Sequence, residues 1–180
     1  MDYASIKKTD IANGPGVRVS LFVSGCTHHC KGCFNPETWD FNYGKAFNEE
    51  VCKEIIIALS PDYISGFSLL GGEPFEPENQ KELSLLLKRI KSIYPNKTIW
   101  CYTGYKFEND LLKTSKIKSE YSNDMLKSID ILVDGEFIES QKNLMLQFRG
   151  SEIQRIIDVQ ESLKSGKTVI SSLNDWIYTK

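Results

Sequence analysis

"VRVSLFVSGCTHHCKGCF", residues 17–34, sets an apolar strand against a loop that holds three of the chain's five cysteines and both of its histidines. Val17 to Val23 alternates apolar and polar side chains and then turns fully apolar, the pattern of a strand entering a buried sheet. The loop behind it spaces Cys26, Cys30 and Cys33 as C-x3-C-x2-C. Five cysteines is an odd number, and thiols this close together in a reducing compartment suit metal better than disulfides. A structural zinc site closes a shell of four ligands, which His28 or His29 would complete here as Cys3His. The other reading is a four-iron cluster held by only three cysteines, with one iron left open to substrate. Cys52 and Cys101 sit among apolar neighbours and read as core thiols.

Outward from this loop, strand and helix alternate. Asn48 caps a helix whose first turn carries Glu49 and Glu50 and whose inner face is Val51, Ile55 and Leu59. Ile64 to Leu70 reads as a strand ending at Gly71-Gly72. Pro77 then starts a helix with Leu83, Leu86, Leu87 and Ile90 turned inward, as far as Pro95. Strands are expected at Thr98–Tyr102 and Ile131–Asp134, an extended piece at Ile153–Val159, and short helices at Phe107–Lys113 and Ser122–Ser128. Lys106 to Lys127 reads as a basic, insertion-like solvated face. The connections are of crossover length, so the sheet should be largely parallel with right-handed crossovers. At 180 residues the chain is shorter than the roughly 250 of a full eight-unit barrel. The expected class is α/β, an incomplete TIM-like βα barrel with a mostly parallel sheet, in a single domain over residues 1–180.

Composition narrows function by exclusion. With 41% hydrophobic and 26% charged residues and a formal net charge of −2, nothing global favours nucleic acid or an anionic membrane. No apolar run reaches the roughly 20 residues of a membrane helix, and no signal peptide opens the sequence, so a cytoplasmic protein is expected. Gly14-Pro15-Gly16 lacks the third glycine and preceding strand of a dinucleotide fingerprint and reads as the entry to the Val17 strand.

Gly71-Gly72-Glu73-Pro74 follows its strand as the cysteine loop follows its own. Glycines let backbone approach a ligand closely, and the polar groups of such a turn can receive an ammonium group. Together, the C-x3-C-x2-C loop and this GGEP turn resemble the radical S-adenosylmethionine enzymes. Zinc requires no such turn. More narrowly, "NGPGVRVSLFVSGCTHHCKGCFNPETWDF", "CYTGYKFE", "ILVDGEFIE" and "FRGSEIQRIIDV" resemble, in the same order, segments of the anaerobic ribonucleoside-triphosphate reductase activating proteins, from about Asn13 to Val159.

The resemblance implies a [4Fe-4S] cluster on Cys26, Cys30 and Cys33, with the amino and carboxylate groups of S-adenosylmethionine on the open iron. Gly32, Cys33 and Phe34 would lie beside the adenine and Gly71, Gly72, Glu73 and Pro74 beside the methionine end. Many superfamily members have an aromatic before the third cysteine; here it is Gly32, so adenine contact would fall to backbone or to Phe34. The implied partners are a flavodoxin-like electron donor and the large subunit of anaerobic ribonucleoside-triphosphate reductase, on which a glycyl radical is made. No protein side chain is implied as the catalytic group, because the cofactor carries the chemistry.

Other residues have two readings each. His28 and His29 either tune the cluster or are solvated loop residues. Asn35 and Pro36 shape the loop exit. Thr103 either touches ligand or makes a turn. Asp134 either faces substrate or a monovalent cation, or forms a turn with Gly135. Arg149 and Arg155, flanking Gly150 and Ser151, bind a carboxylate or form structural ion pairs. Two other classes compete with the activase. One is a radical S-adenosylmethionine enzyme with a small substrate, such as 7-carboxy-7-deazaguanine synthase, whose pocket the sequence does not reveal. The other is a zinc-stabilised binding module.

Overall fold

The computed structural model describes residues 1–177. Four strands run parallel through its centre: β2 (Val17–Val23), β4 (Ile64–Gly71), β5 (Thr98–Tyr102) and β6 (Ile131–Asp134), in that spatial order. Parallel neighbours need crossovers. They are supplied by α1 (Glu49–Ala58), by α2 (Pro77–Ile93), and by a π-helix at Phe107–Leu112 followed by α3 (Ser122–Ser128). Asn48 Oδ1 accepts from the Glu50 and Val51 amides and so starts α1, while Pro77 opens α2.

The expectation of an α/β protein holds, but parallel pairing is confined to this centre. β1 (Asp2–Asp10) lies antiparallel beside β2, with β3 (Lys45–Ala46) beyond it. On the other side β7 (Arg155–Asp158) and β8 (Val169–Ile170) are antiparallel additions, giving the order β3-β1-β2-β4-β5-β6-β7-β8. The reason lies in the connections. Only six residues separate β1 from β2, too few for a crossover. β6 and β7 are joined by a long segment whose only helix among the described residues is the single turn Glu139–Gln141. The extended piece expected at Ile153–Val159 is thus realised as Arg155–Asp158, and Val159 opens the helix α4 (Val159–Ser165).

Strand alternation gives the sheet two unlike faces. Val19, Leu21, Val23, Phe67, Leu69, Ile99, Cys101, Leu132 and Ile157 point to the helices and join Ile55, Leu59, Leu83, Leu86, Leu87 and Ile90 in the main core. Phe107, Leu111 and Ile117 belong to it too. The stretch from Lys106 to Lys127 is therefore no solvated insertion. Its lysines face outward while its apolar residues pack, and Gln80 Nε2 holds the Ile117 carbonyl at 2.7 Å.

The opposite face carries Arg18, Ser20, Ser68, Trp100, Val133 and Ile156. Arg18 is fully buried, yet its guanidinium donates to Ser68 Oγ, Thr98 Oγ1 and the carbonyls of Phe67 and Thr98 at 2.7–3.1 Å. Burial brings its pKa down to about 10, so it remains a cation at neutral pH. It crosslinks β2, β4 and β5 near their N-terminal ends.

At the other ends a second arginine ties the late elements together. Arg155 on β7 donates from Nε to Asp134 Oδ1 at 2.9 Å, bonds Asp134 Oδ2 through Nη2, and grips both oxygens of Glu108 on the π-helix at 2.7–2.9 Å. The Phe107 amide donates to Asp134 Oδ2 at 2.9 Å. Hydrogen bonding from Arg155 holds the Glu108 carboxyl down at about 2, from an ordinary 4.5. A depressed folded-state pKa gives stability that is present above the unfolded value and lost as pH falls through the folded one. Glu108→Gln should therefore lower the melting temperature at neutral pH and remove part of its decline between about pH 5 and pH 2. Parallel melting curves for the two proteins would show this pair inert.

Candidate functional site

Parallel strands that start in register end together. Val23 lies opposite Gly71, and Tyr102 lies opposite Val133. Open parallel sheets bind ligands beyond such carboxyl ends. A cavity of about 480 Å³ sits there. Its wall includes Cys26, His28, Cys30, Cys33, Phe34, Gly71, Gly72, Glu73, Thr103, Gly104 and Gly135, and from the segment after β6 Phe137, Phe148, Arg149, Gly150 and Gln154.

Two loops form the floor, and backbone joins them directly. Gly72 N donates to Val23 O and Glu73 N to Gly25 O, both at 2.7 Å. Gly25 N in turn donates to Thr38 O at 2.8 Å. A Cβ on Gly72 would stand 2.5 Å from Gly25 O and 2.9 Å from Thr38 O. A Cβ on Gly71, whose φ is +111°, would meet the backbone of Phe22 and Val23 at 2.6–2.7 Å. Both glycines are demanded by this close approach of protein backbone, whatever ligand lies above them.

Glu73 is 1% exposed and its carboxylate takes four donors. Oε1 accepts from Phe75 N at 2.9 Å and from Thr103 Oγ1 at 2.8 Å; Oε2 takes Gly104 N at 2.8 Å and faces His28 Nε2 at 3.1 Å. Two more polar residues of α2 and its entry hold the cysteine loop. Glu76 Oε1 accepts from Thr27 N and Oγ1 at 2.8 and 2.6 Å, and Asn79 Nδ2 donates to the carbonyls of Ser24 and Glu73 at 2.9 and 3.0 Å. Sequence reasoning missed Thr27, Glu76 and Asn79. The signal was the run of polar residues in "GGEPFEPENQ", where Glu76 and Asn79 stand three apart at a helix start.

The three loop cysteines are free thiols on one wall, while Cys52 and Cys101 lie in the core. Burial pushes the Cys26 thiol up to about 12, with Glu73 and Glu76 adding to it, and burial raises Cys30 as well. The Cys26 and Cys30 sulfurs therefore hold their protons at neutral pH. Three thiols lining one cavity fit an iron–sulfur cluster, in which each thiolate would hold its own iron. Two N–H groups of wall residues, Trp39 Nε1 and Arg149 Nε, are buried without an acceptor among the described residues.

Not every predicted residue reaches this wall. Gly32 is exposed beyond it and Pro74 is buried behind it. Phe34 stands at the rim, 61% exposed, against Phe137 at 5.2 Å between ring centroids and with Lys142 Nζ 5.1 Å from its ring. His28 is not solvated: its ring is 9% exposed and lies between Glu73 and Glu136 Oε1, 3.2 Å from Nδ1. Burial works against its charged form, but its hydrogen bonds to both carboxylates, and their charge, outweigh that and raise its pKa. His29 stacks on Trp39 at 4.7 Å. Asn35 N donates to Cys33 Sγ at 3.4 Å and its carbonyl accepts from Thr38, which turns the chain into the Pro36–Trp39 helical turn. The Thr103 hydroxyl is engaged by Glu73. Asp134 and Arg155 form an ion pair with each other. Arg149 donates to the carbonyls of Gln154 and Asn174 and to Asn174 Oδ1, so its Nη groups serve the fold.

The fold and its three-thiol cavity fit a small iron–sulfur protein, and a family model described as "4Fe-4S single cluster domain" matches residues 12–157. Curated relatives narrow this further. The chain is 42% identical over 158 residues to the anaerobic ribonucleoside-triphosphate reductase-activating protein of Enterobacteria phage T4, covering 87% of this chain and 93% of that protein. It is 41% identical over 158 residues to the protein of the same name from Haemophilus influenzae, covering 87% and 97%. With that of Escherichia coli (strain K12) it shares 40% over 156 residues, covering 86% and 96%. The chain belongs to the family of anaerobic ribonucleoside-triphosphate reductase-activating proteins.

Because the room for a Cβ at Gly72 is filled by loop backbone, Gly72→Ala should displace the cysteine loop itself. The expected cost is about 1–3 kcal/mol of overpacking, together with lower iron content after anaerobic reconstitution. Unfolding midpoints and iron analysis check this. An unchanged midpoint with full iron would mean the two loops have slack.

Proposed function

We propose that this protein activates anaerobic ribonucleoside-triphosphate reductase by generating a glycyl radical on its large subunit, using S-adenosylmethionine. One observation carries the reading: in a chain of this family, the three loop thiols and the GGEP turn share one cavity at the ends of the parallel strands. Cys26, Cys30 and Cys33 would hold a [4Fe-4S] cluster and leave one iron without a protein ligand, for S-adenosylmethionine. When bound, the cluster supplies the electron that cleaves the sulfonium S–C5′ bond, giving methionine and a 5′-deoxyadenosyl radical that takes the glycine hydrogen.

The chain's own residues bind, orient and shield. The cavity's volume falls within the roughly 300–1,000 Å³ of small-molecule sites. Gly71 and Gly72 bring the methionine end against backbone, and Glu73 keeps the turn in shape. Phe34 offers an exposed aromatic face at the rim for adenine. The segment after β6, with Phe137, Phe148 and Gly150, limits solvent on the far wall. β2, β4, β5 and β6 with their crossovers form the incomplete TIM-like βα barrel, and residues 1–180 work as one radical S-adenosylmethionine domain. A cytoplasmic setting and a flavodoxin-like electron donor complete the reading. No helix among the described residues is long and apolar enough to cross a membrane.

Cys26→Ala, Cys30→Ala and Cys33→Ala should each abolish cluster assembly and methionine release, whereas Cys52→Ala and Cys101→Ala keep both. Full cleavage by a Cys30 variant would sink the ligand assignment. Reduced wild-type protein with S-adenosylmethionine alone should turn over slowly. Adding the reductase large subunit should produce a persistent doublet in electron paramagnetic resonance, with 5′-deoxyadenosine in comparable amount. Alanine at the partner's radical glycine should remove the doublet and leave the complex intact. Rapid deoxyadenosine release driven by a small molecule, with no doublet from a cognate reductase, would transfer the protein to the small-substrate class.

A further inference from the structure

Each residue between the first two loop cysteines is anchored to a different place. Thr27 is held by Glu76 and His29 stacks on Trp39. His28 lies where three walls of the cavity meet. Its Nε2 faces Glu73 Oε2 of the GGEP turn at 3.1 Å, and its Nδ1 faces Glu136 Oε1, on the segment after β6, at 3.2 Å. Its ring packs on Tyr105 with centroids 4.3 Å apart. The protein makes room for this ring: a Cβ on Gly104 would stand 2.6–2.9 Å from three imidazole atoms. Gly104 also gives its amide to Glu73, so the residue that clears space for His28 and the residue His28 contacts are themselves bonded.

Of the four donors on Glu73, only His28 comes from the cysteine loop. The other three come from its own turn and from the end of β5. We propose that His28 is a positioning residue: by bridging Glu73 and Glu136 it fixes the cysteine loop, and so the cluster, relative to the turn that receives S-adenosylmethionine. This rests on the function proposed above. Glu136 is half exposed and precedes Phe137, which packs on Phe34 and lies 3.0 Å from where a Gly150 Cβ would stand. The bridge therefore joins the outer wall of the cavity to the cluster loop and the GGEP turn.

The test is made on anaerobically reconstituted full-length protein, with S-adenosylmethionine as the probe. Iron content, equilibrium affinity, and the change that S-adenosylmethionine makes to the resonance spectrum of the reduced cluster are measured for wild type, His28→Ala, His28→Gln and Glu136→Gln. His28→Ala should keep its iron, lose affinity by about 10-fold, the scale at which outer-sphere partners of metal sites act, and show a reduced spectral change. Glu136→Gln, which leaves Glu73 bridged, should lose less. A merely structural histidine would lower the melting temperature and leave affinity and spectrum alone, and that result would overturn the proposal. Should His28→Ala assemble no cluster, His28→Gln takes its place under the same criterion. A wild type whose cluster spectrum does not respond to S-adenosylmethionine would overturn the proposed function and the role of His28 with it. A responding wild type matched by its His28 variant would overturn the latter alone.

Discussion

A buried carboxylate must be satisfied or it destabilises the fold that contains it. Glu73 meets that demand by drawing donors from four places at once: its own turn, a threonine hydroxyl, a glycine amide and an imidazole. Removing any one partner would leave a charged oxygen short of a donor, at a typical cost of about 1–3 kcal/mol or more. The ends of β4 and β5 and the cysteine loop are thereby held to one point. The two close glycines allow it, because the backbone of the turn can then rest on the backbone of the loop. Geometry that serves stability here also places three thiols beside a turn with exposed backbone.

The sheet explains why this point lies where it does. Parallel pairing brings the carboxyl ends of β2, β4, β5 and β6 to one edge, and the antiparallel strands on either side extend the sheet without covering that edge. Two arginines reinforce opposite ends. Arg18 crosslinks the strands beneath the site with neutral acceptors, while Arg155 binds acids and fixes the π-helix to β6 and β7. Neither belongs to the cavity wall, yet each holds strands whose ends do.

Local signals in the sequence had local outcomes. Asn48 and Pro77 start helices where their chemistry says they should, and the Leu83–Ile90 stripe faces the core. β1 was not legible, because "DYASIKKTD" offers few apolar positions and is stabilised by pairing with β2 instead of by burial of its own face. Long-range partnerships were also hidden. Glu76 meets Thr27 across 49 residues and Glu73 meets Thr103 across 30, and no periodicity encodes such distances. The Asp134–Arg155 pair shows the converse. Two charged residues in suggestive motifs serve each other, and only their spacing in three dimensions decides it.

The cavity is assembled from chain segments of very unequal separation. Cys26, Cys30 and Cys33 fall within eight consecutive residues, while the remaining wall reaches from Lys7 to Gln154. A loop that short closes at little entropic cost, whereas the full wall exists only after distant strands have paired. In the proposed function the cluster ligands thus come from one short stretch of chain, and the S-adenosylmethionine site from nearly all of it. Damage that loosens β6, β7 or the segment between them leaves the cysteine loop on its bonds to Glu73, Glu76 and Asn79. In the proposed function the protein would then fail in a definite order as it is destabilised, losing S-adenosylmethionine before its cluster.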